Sequence, residues 1–198
     1  MTTPGINDPF TGTYRKDVKT SIWRVNGAVA PPVTFQDVGS LLSSLPVDSV
    51  MRPSLDASAP AMAALTSVAA SSRLAPEQEN VTVPAYLCYV RKEGDNDYHL
   101  ILGSTADATA TYMTAEVAGL PPGGIDVPTL MQVRGQLVTL LGYEPGTADY
   151  TPVTPPLSVL VTGSLFFDGG HVPGEVGPDQ AKTQQVWEIH PVTNLQAH

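Results

Sequence analysis

A mainly β fold, closed into a small five-stranded barrel with one helix inserted before the last two strands, is what this sequence predicts, and three observations carry it. Pro and Gly are abundant, 19 and 17 in 198 residues, which favours turns and short strands over long helices. From Val81 onward, apolar and polar residues alternate in runs, the mark of half-buried strands. The elements then follow the order strand, strand, strand, helix, strand, strand, which is that of an OB-fold barrel. At this length one core is expected, with an added segment.

Residues 1–32 are polar, with turn formers in "INDPFTGT", and read as an N-terminal arm whose "SIWRVNGAV" is a short strand ending at Asn26-Gly27. Residues 33–72 form a helical, Ala/Ser-rich extension. In "VTFQDVGSLLSSL", Thr34 caps, Asp37 takes the capping-box position, and Phe35, Val38, Leu41, Leu42 and Leu45 share one helical face. Further on, Ser58 before Pro60 offers a second helix start with a thin apolar face of Met62, Leu65 and Val68. A helix pressed on a partner and a linker both fit that composition.

The barrel spans 73–198. "VTVPAYLCYVRKE" is its first strand, "EGDND" a hairpin turn and "YHLILG" the returning limb. "TATYMTAEVAG" is the third strand. "DVPTLMQVRGQLVTLLG" is a helix with Leu130, Val133, Leu137, Val138 and Leu141 on one stripe and Gly142 as its left-handed stop. "LSVLVTGSLFFD" and "QVWEIHPVTNL" complete the set.

Charge removes function classes. The 19 acidic residues against 10 Lys and Arg give a formal charge of −9, a field that repels phosphate backbones. The loose basic cluster of Arg15, Lys16, Lys19 and Arg24 is a poor nucleic-acid footprint. A single cysteine, Cys88, excludes an internal disulfide and a thiolate-rich zinc site and reads as a small core residue. No run approaches the ~18 apolar residues of a membrane helix. The N-terminal residues lack the charged-then-apolar order of a signal peptide, so no export signal is expected. Asn80 in "NVT" matches a glycosylation sequon but opens a strand.

The motifs of nucleotide-binding loops, zinc proteases and serine-hydrolase elbows are absent, and an EF-hand reading of "DNDYH" fails at Leu100 and Ala106. What stands out is that three of the four histidines lie within three residues of an acid: Asp97 with His99, Asp168 with His171, Glu188 with His190. Alternate strand residues share a face, so Asp97 joins His99, Thr114 joins Glu116, and Glu188 joins His190. The opposite faces, Tyr98/Leu100/Leu102, Met113/Ala115/Val117 and Trp187/Ile189/Pro191, form the core. If the polar faces converge, the candidate rim is Asp95, Asp97, His99, Glu116, Asp168, His171, Glu188 and His190. His99, His171, His190 and Glu188 are candidate ligands for a divalent metal such as zinc or manganese, and Asp97 or Glu116 the candidate base. The same pairs also fit a structural network in which each histidine is oriented by a carboxylate. Of Phe166 and Phe167 at least one is core, Trp187 is core, Trp23 is the better exposed aromatic, and Arg91, Lys92 and Glu93 read as a solvated strand end.

Four segments, "RKDVKT", "RLAPEQENVTVPAYLCYVRKEGDNDYHLIL", "LSVLVTGSLFFDGGH" and "VWEIHPV", resemble in order a family of uncharacterised bacterial proteins. Its motifs are Arg-x-x-Pro-Glu, an E-x-D-x-D-[YF]-H-[LI] hairpin, a V-x-[VI]-T-G-x-x-F-F-D-x-x-H strand and a closing E-[LI]-H-P-V strand. The resemblance covers residues 15–20 and 73–193. It implies an OB-like barrel with polar positions at Glu77, Glu93, Asp95, Asp97, His99, Glu116, Asp168, His171, Glu188 and His190, and no established activity. Members are often exported. This chain departs in its Ala/Ser tract at 51–72 and in the longer link after His171.

The expected function is therefore a non-catalytic binding or assembly module, using the barrel rim or the N-terminal extension to hold a protein partner, a second copy or a small polar ligand, with a structural histidine and carboxylate network at the rim and no cofactor, a divalent metal entering with the alternative. A metal-dependent hydrolase or OB-type nuclease is the alternative. Single-stranded nucleic-acid binding, by fold analogy alone, comes third.

Overall fold

The computed structural model describes residues 5–63 and 73–198, the side chains of 57–63 excepted. Among the described residues, the eight strands are β1 (Arg24–Val25), β2 (Ala28–Val29), β3 (Val33–Thr34), β4 (Asn80–Lys92), β5 (Tyr98–Gly103), β6 (Tyr112–Val117), β7 (Thr151–Phe167) and β8 (Trp187–Ala197). The last six form one mixed sheet in the order β3-β4-β5-β6-β8-β7, and β4 also pairs with β7, so the sheet curls into a ring. The ring is only partly closed. Its parallel β6–β8 seam holds through two register pairs, Thr114 with Glu188 and Ala115 with Ile189.

A 13-residue strand can serve two neighbours because β4 is kinked: its register with both β5 and β7 shifts between Leu87 and Tyr89. Cys88 is the extra residue of that bulge. It is buried, and its thiol donates to the Tyr86 carbonyl. Inside the ring, Val81, Val83, Leu87, Leu100, Met113, Val161, Phe167, Trp187 and Ile189 belong to one apolar cluster. Pro191 is buried as expected, and Val192 next to it also joins the apolar cluster, because the β7–β8 register shifts on either side of Gly163. A Cβ on Gly163 would come within 2.4 Å of the Pro191 carbonyl, so only glycine allows the strands to approach there.

Helix α4 (Val127–Leu141) ends at Gly142 in the left-handed conformation, φ 76°. Its Leu130, Val133 and Leu137 are buried, but so is Arg134, whose guanidinium donates to the carbonyls of Gly5, Asn96 and Ala118 over the Tyr98 ring. Asp126 does not cap this helix. It accepts from the Ile22 N–H and pairs with Arg24, pinning the N-terminal arm.

Several N-terminal expectations need correction. Asn26-Gly27, with φ of 51° and 82°, is the tight turn of a miniature β1–β2 hairpin, not the end of one strand. Helix α2 (Val38–Ser44) is capped by Asp37, which exchanges hydrogen bonds with Ser40, while Thr34 lies in β3. Helix α3 (Asp48–Ala63) starts ten residues before Ser58 and carries Pro53 and Pro60 within it. The side chain of Met62, with Leu65 and Val68, lies outside the described residues. Strand β7 begins at Thr151, six residues before the expected Leu157. No helix of the described residues is long and apolar enough to cross a membrane.

Candidate functional site: a buried histidine and carboxylate cluster

The cluster is assembled by strand register. His99 on β5 stands opposite Glu116 on β6, and Thr114 on β6 stands opposite Glu188 on β8. Because side chains alternate across a sheet, the residues that send Tyr98, Met113 and Ile189 into the core send Asp97, His99, Glu116, Glu188 and His190 to the other face. That face is covered. Asp97 and His190 are fully buried and His99, Glu116, Asp168 and Glu188 nearly so, beneath Phe166, which meets the His190 ring edge-on, and Lys19 of the four-residue helix α1 (Lys16–Lys19).

His190 is the hub. Its Nδ1 is 3.1 Å from Glu116 Oε2 and 3.4 Å from Glu188 Oε2, and its Nε2 is 3.3 Å from Asp97 Oδ2. The other Asp97 oxygen accepts from the Gly119 N–H at 2.6 Å. His99 Nδ1 lies 3.1 Å from both Glu93 Oε1 and the Tyr150 hydroxyl, and 4.0 Å from Glu116 Oε1. Three buried atoms, Asp97 Oδ2, His99 Nε2 and His190 Nε2, make no hydrogen bond within the described residues. Buried polar atoms are almost always satisfied, so three orphans in one cluster point to a missing partner.

Electrostatics agree. Burial, and after it the Asp95 charge, pushes the Asp97 carboxyl up to about 6. Burial also raises Glu116, and burial with the charges of Glu116 and Asp168 raises Glu188 well above the carboxylate range. His190 is driven by burial down to about 3 and is neutral. Burial works against the Lys19 ammonium, yet Glu116, Glu188, Asp97 and Asp168 outweigh it and hold its pKa above the usual lysine range. Lys19 is thus the resident counter-charge, 3.9 Å from Glu116 Oε2.

The cluster floors a cleft of about 790 Å³. His99, Glu116, Asp168 and Lys19 reach its surface, and Arg91, Glu93, Asp95, Tyr150 and His171 stand around them. Seven acidic side chains line it against three Lys and Arg, so the cleft favours cations and polar groups over anions. His171, near the mouth, bonds Asp168 through Nδ1. That hydrogen bond raises the His171 pKa, and it lowers Asp168 despite burial. Arg52 of α3 donates to the carbonyls of Gly169 and His171, so the extension braces the loop that carries this pair.

Of the residues expected at the rim, Asp97, His99, Glu116, Glu188 and His190 meet in one cluster, Asp168 and His171 flank it, and Asp95 stands at the turn, accepting from the Asp97 N–H. Two sets of three have ligand atoms within 4.8 Å of one another: Asp97, Glu116 and His190, and His99, Glu116 and Glu188. His171 belongs to neither. Glu77, a motif position, lies in a separate network with Arg15. Arg91, Lys92 and Glu93 are not a solvated strand end. Arg91 pairs with Glu93 over the Tyr150 ring, Lys92 with Asp8 and Glu144, and burial opposed by His99 and Arg91 leaves Glu93 at about 2.

Sequence reasoning missed Lys19 and Tyr150. Lys19 falls in a loose basic cluster that carries no sign of burial, and Tyr150 sits in a turn-rich stretch with no periodic signal. Phe166 and Phe167 are both buried, Phe167 in the core and Phe166 over the cluster. Asn80 is buried too, with its amide donating to Trp23 and Ala30 and accepting from Ser164, so it offers no acceptor for a glycan. Trp23 is half-buried at the edge of a second pocket. Comparison with protein-family models and with curated proteins finds no match for this chain.

Proposed function

We propose that this protein is a non-catalytic binding module on an OB-like barrel, whose acidic cleft holds a divalent cation at its histidine and carboxylate floor and a small polar ligand above it. The barrel reading is supported by the strand order around the ring, β4-β5-β6-β8-β7, and by α4 falling between its third and fourth strands. The observation that carries the function is that Asp97, His99 and His190, each with one buried ligand atom lacking a hydrogen bond, belong to two sets of converging donors joined at Glu116. Imidazole nitrogen with carboxylate oxygen is a donor set for zinc or manganese.

Isothermal titration of the full chain with Mn²⁺ or Zn²⁺ tests this. Binding that is lost in His190→Ala and Glu116→Gln is the expected result. An absence of binding to either ion, with the same substitutions costing only melting temperature, would leave a structural network.

A hydrolytic reading is favoured by one observation: the Asp168–His171 pair faces the same cleft, where an oriented imidazole could move a proton. Hydrolysis of a generic phosphoester by the metal-loaded chain, lost in His171→Ala, would favour it. Nucleic-acid binding draws no support from the basic residues, since Arg15, Lys19 and Arg24 each face an acid.

A further inference from the structure

We infer that the cluster is built for two divalent cations sharing Glu116: an enclosed inner ion at Asp97 and His190, and an outer ion at His99 and Glu188 that faces the cleft. The inference rests on the metal-binding reading above. Glu116 belongs to both sets of converging ligand atoms. Its two oxygens turn to different histidines, Oε2 to His190 at 3.1 Å and Oε1 to His99 at 4.0 Å. A carboxylate divided in this way is how paired ions about 3.5–4 Å apart are bridged.

The two positions differ in access. Asp97 and His190 are fully buried and do not line the cleft, so the inner ion is closed off. His99 and Glu116 do line it, so the outer ion keeps a coordination position open, as sites that take a ligand do. Charge orders the loading. Asp97, Glu116, Glu188 and Asp168 against Lys19 leave three negative charges, so one divalent ion leaves the floor negative and the second carries it past neutral to positive. An acidic cleft with a positive floor selects a small ligand that offers one oxyanion to the outer ion and polar groups to the walls.

Native mass spectrometry and calorimetric titration of the full chain with Mn²⁺ alone test the inference. Two ions per chain are expected, the second at least about tenfold weaker because it approaches a bound dication, and tightened by added inorganic phosphate. His99→Ala and, as a second variant, Glu188→Gln are expected to remove only the weaker step, and Asp97→Asn to remove the stronger. A single ion in wild type, unaltered by His99→Ala and Glu188→Gln, would overturn the paired site while leaving the binding reading intact. No ion at all would overturn that reading itself.

Discussion

Asp97 Oδ2 and His190 Nε2 face each other at 3.3 Å, both fully buried, without completing a hydrogen bond. A neutral imidazole offers one donor and one acceptor, and this one already meets Glu116 and Glu188 through Nδ1. On the metal-binding reading, a cation supplies what the pair lacks. At about a hundred times its dissociation constant, bound metal stabilises by about 2.7 kcal/mol, which for a chain of this size raises Tm by roughly 5–10 °C. Differential scanning fluorimetry with and without a chelator is expected to show that shift, and His190→Ala to abolish it.

Without metal, charging Asp97 costs stability. Its folded pKa of about 6 lies above the unfolded value of about 3.9, so the folded state holds the proton more tightly. The contribution is full below pH 4 and is lost as pH rises through about 6, a change on the order of 3 kcal/mol. His190, depressed to about 3, acts in the opposite sense over the same window, and Glu116, Glu188 and Lys19 stand in the same cluster, so the comparison is made against a variant. In chelator, Asp97→Asn is expected to match wild type in urea midpoint near pH 4 and to exceed it at pH 7. A difference independent of pH would contradict the assignment.

Lys19 holds the place of a cation. With its ammonium 3.9 Å from Glu116 in a largely buried setting, removing the charge withdraws a repulsion worth a few kcal/mol at an effective dielectric of about 20. Lys19→Met is expected to tighten Mn²⁺ binding by at least about tenfold, read by calorimetry, and to destabilise the metal-free protein.

Glu77 is a structural residue, whatever its place in a motif. Fully buried, it grips Arg15 through two bonds of 2.6 and 2.7 Å and accepts from the N–H groups of Leu74 and Phe167. Stripping one partner from a buried ion pair costs about 3–5 kcal/mol. Glu77→Gln is expected to lower the unfolding free energy read from urea denaturation by that amount at unchanged metal stoichiometry.

The ring and the cluster were legible in the sequence for the same reason. A period of two that sends Tyr98, Leu100 and Leu102 inward places Asp97 and His99 together on the other face, so reading the core also read the site. Lys19 and Arg15 were not legible, because a base folded beneath a sheet looks in sequence like one in solvent. The first half of β7 was hidden by Pro152, Pro155 and Pro156, which suppress a strand reading. The start of α3 was missed for a related reason: Pro53 interrupts the helical signal near its beginning, although the helix tolerates it. Pro191 is buried as expected, but a register shift beside it also brings Val192 to the inward face, which alternation alone does not reveal.

The thin β6–β8 seam has a mechanical consequence. Glu116 stands on one side of it, Glu188 and His190 on the other, and only two residue pairs hold the strands together. An ion gripped by both sides acts as a rivet across the weakest joint of the wall. On the metal-binding reading, loading is expected to govern how often β8 peels away, with the amides of Glu188, Ile189, His190 and Val192 as its gauge: their hydrogen exchange slows when the rivet is set and quickens when it is drawn, before the rest of the ring gives way.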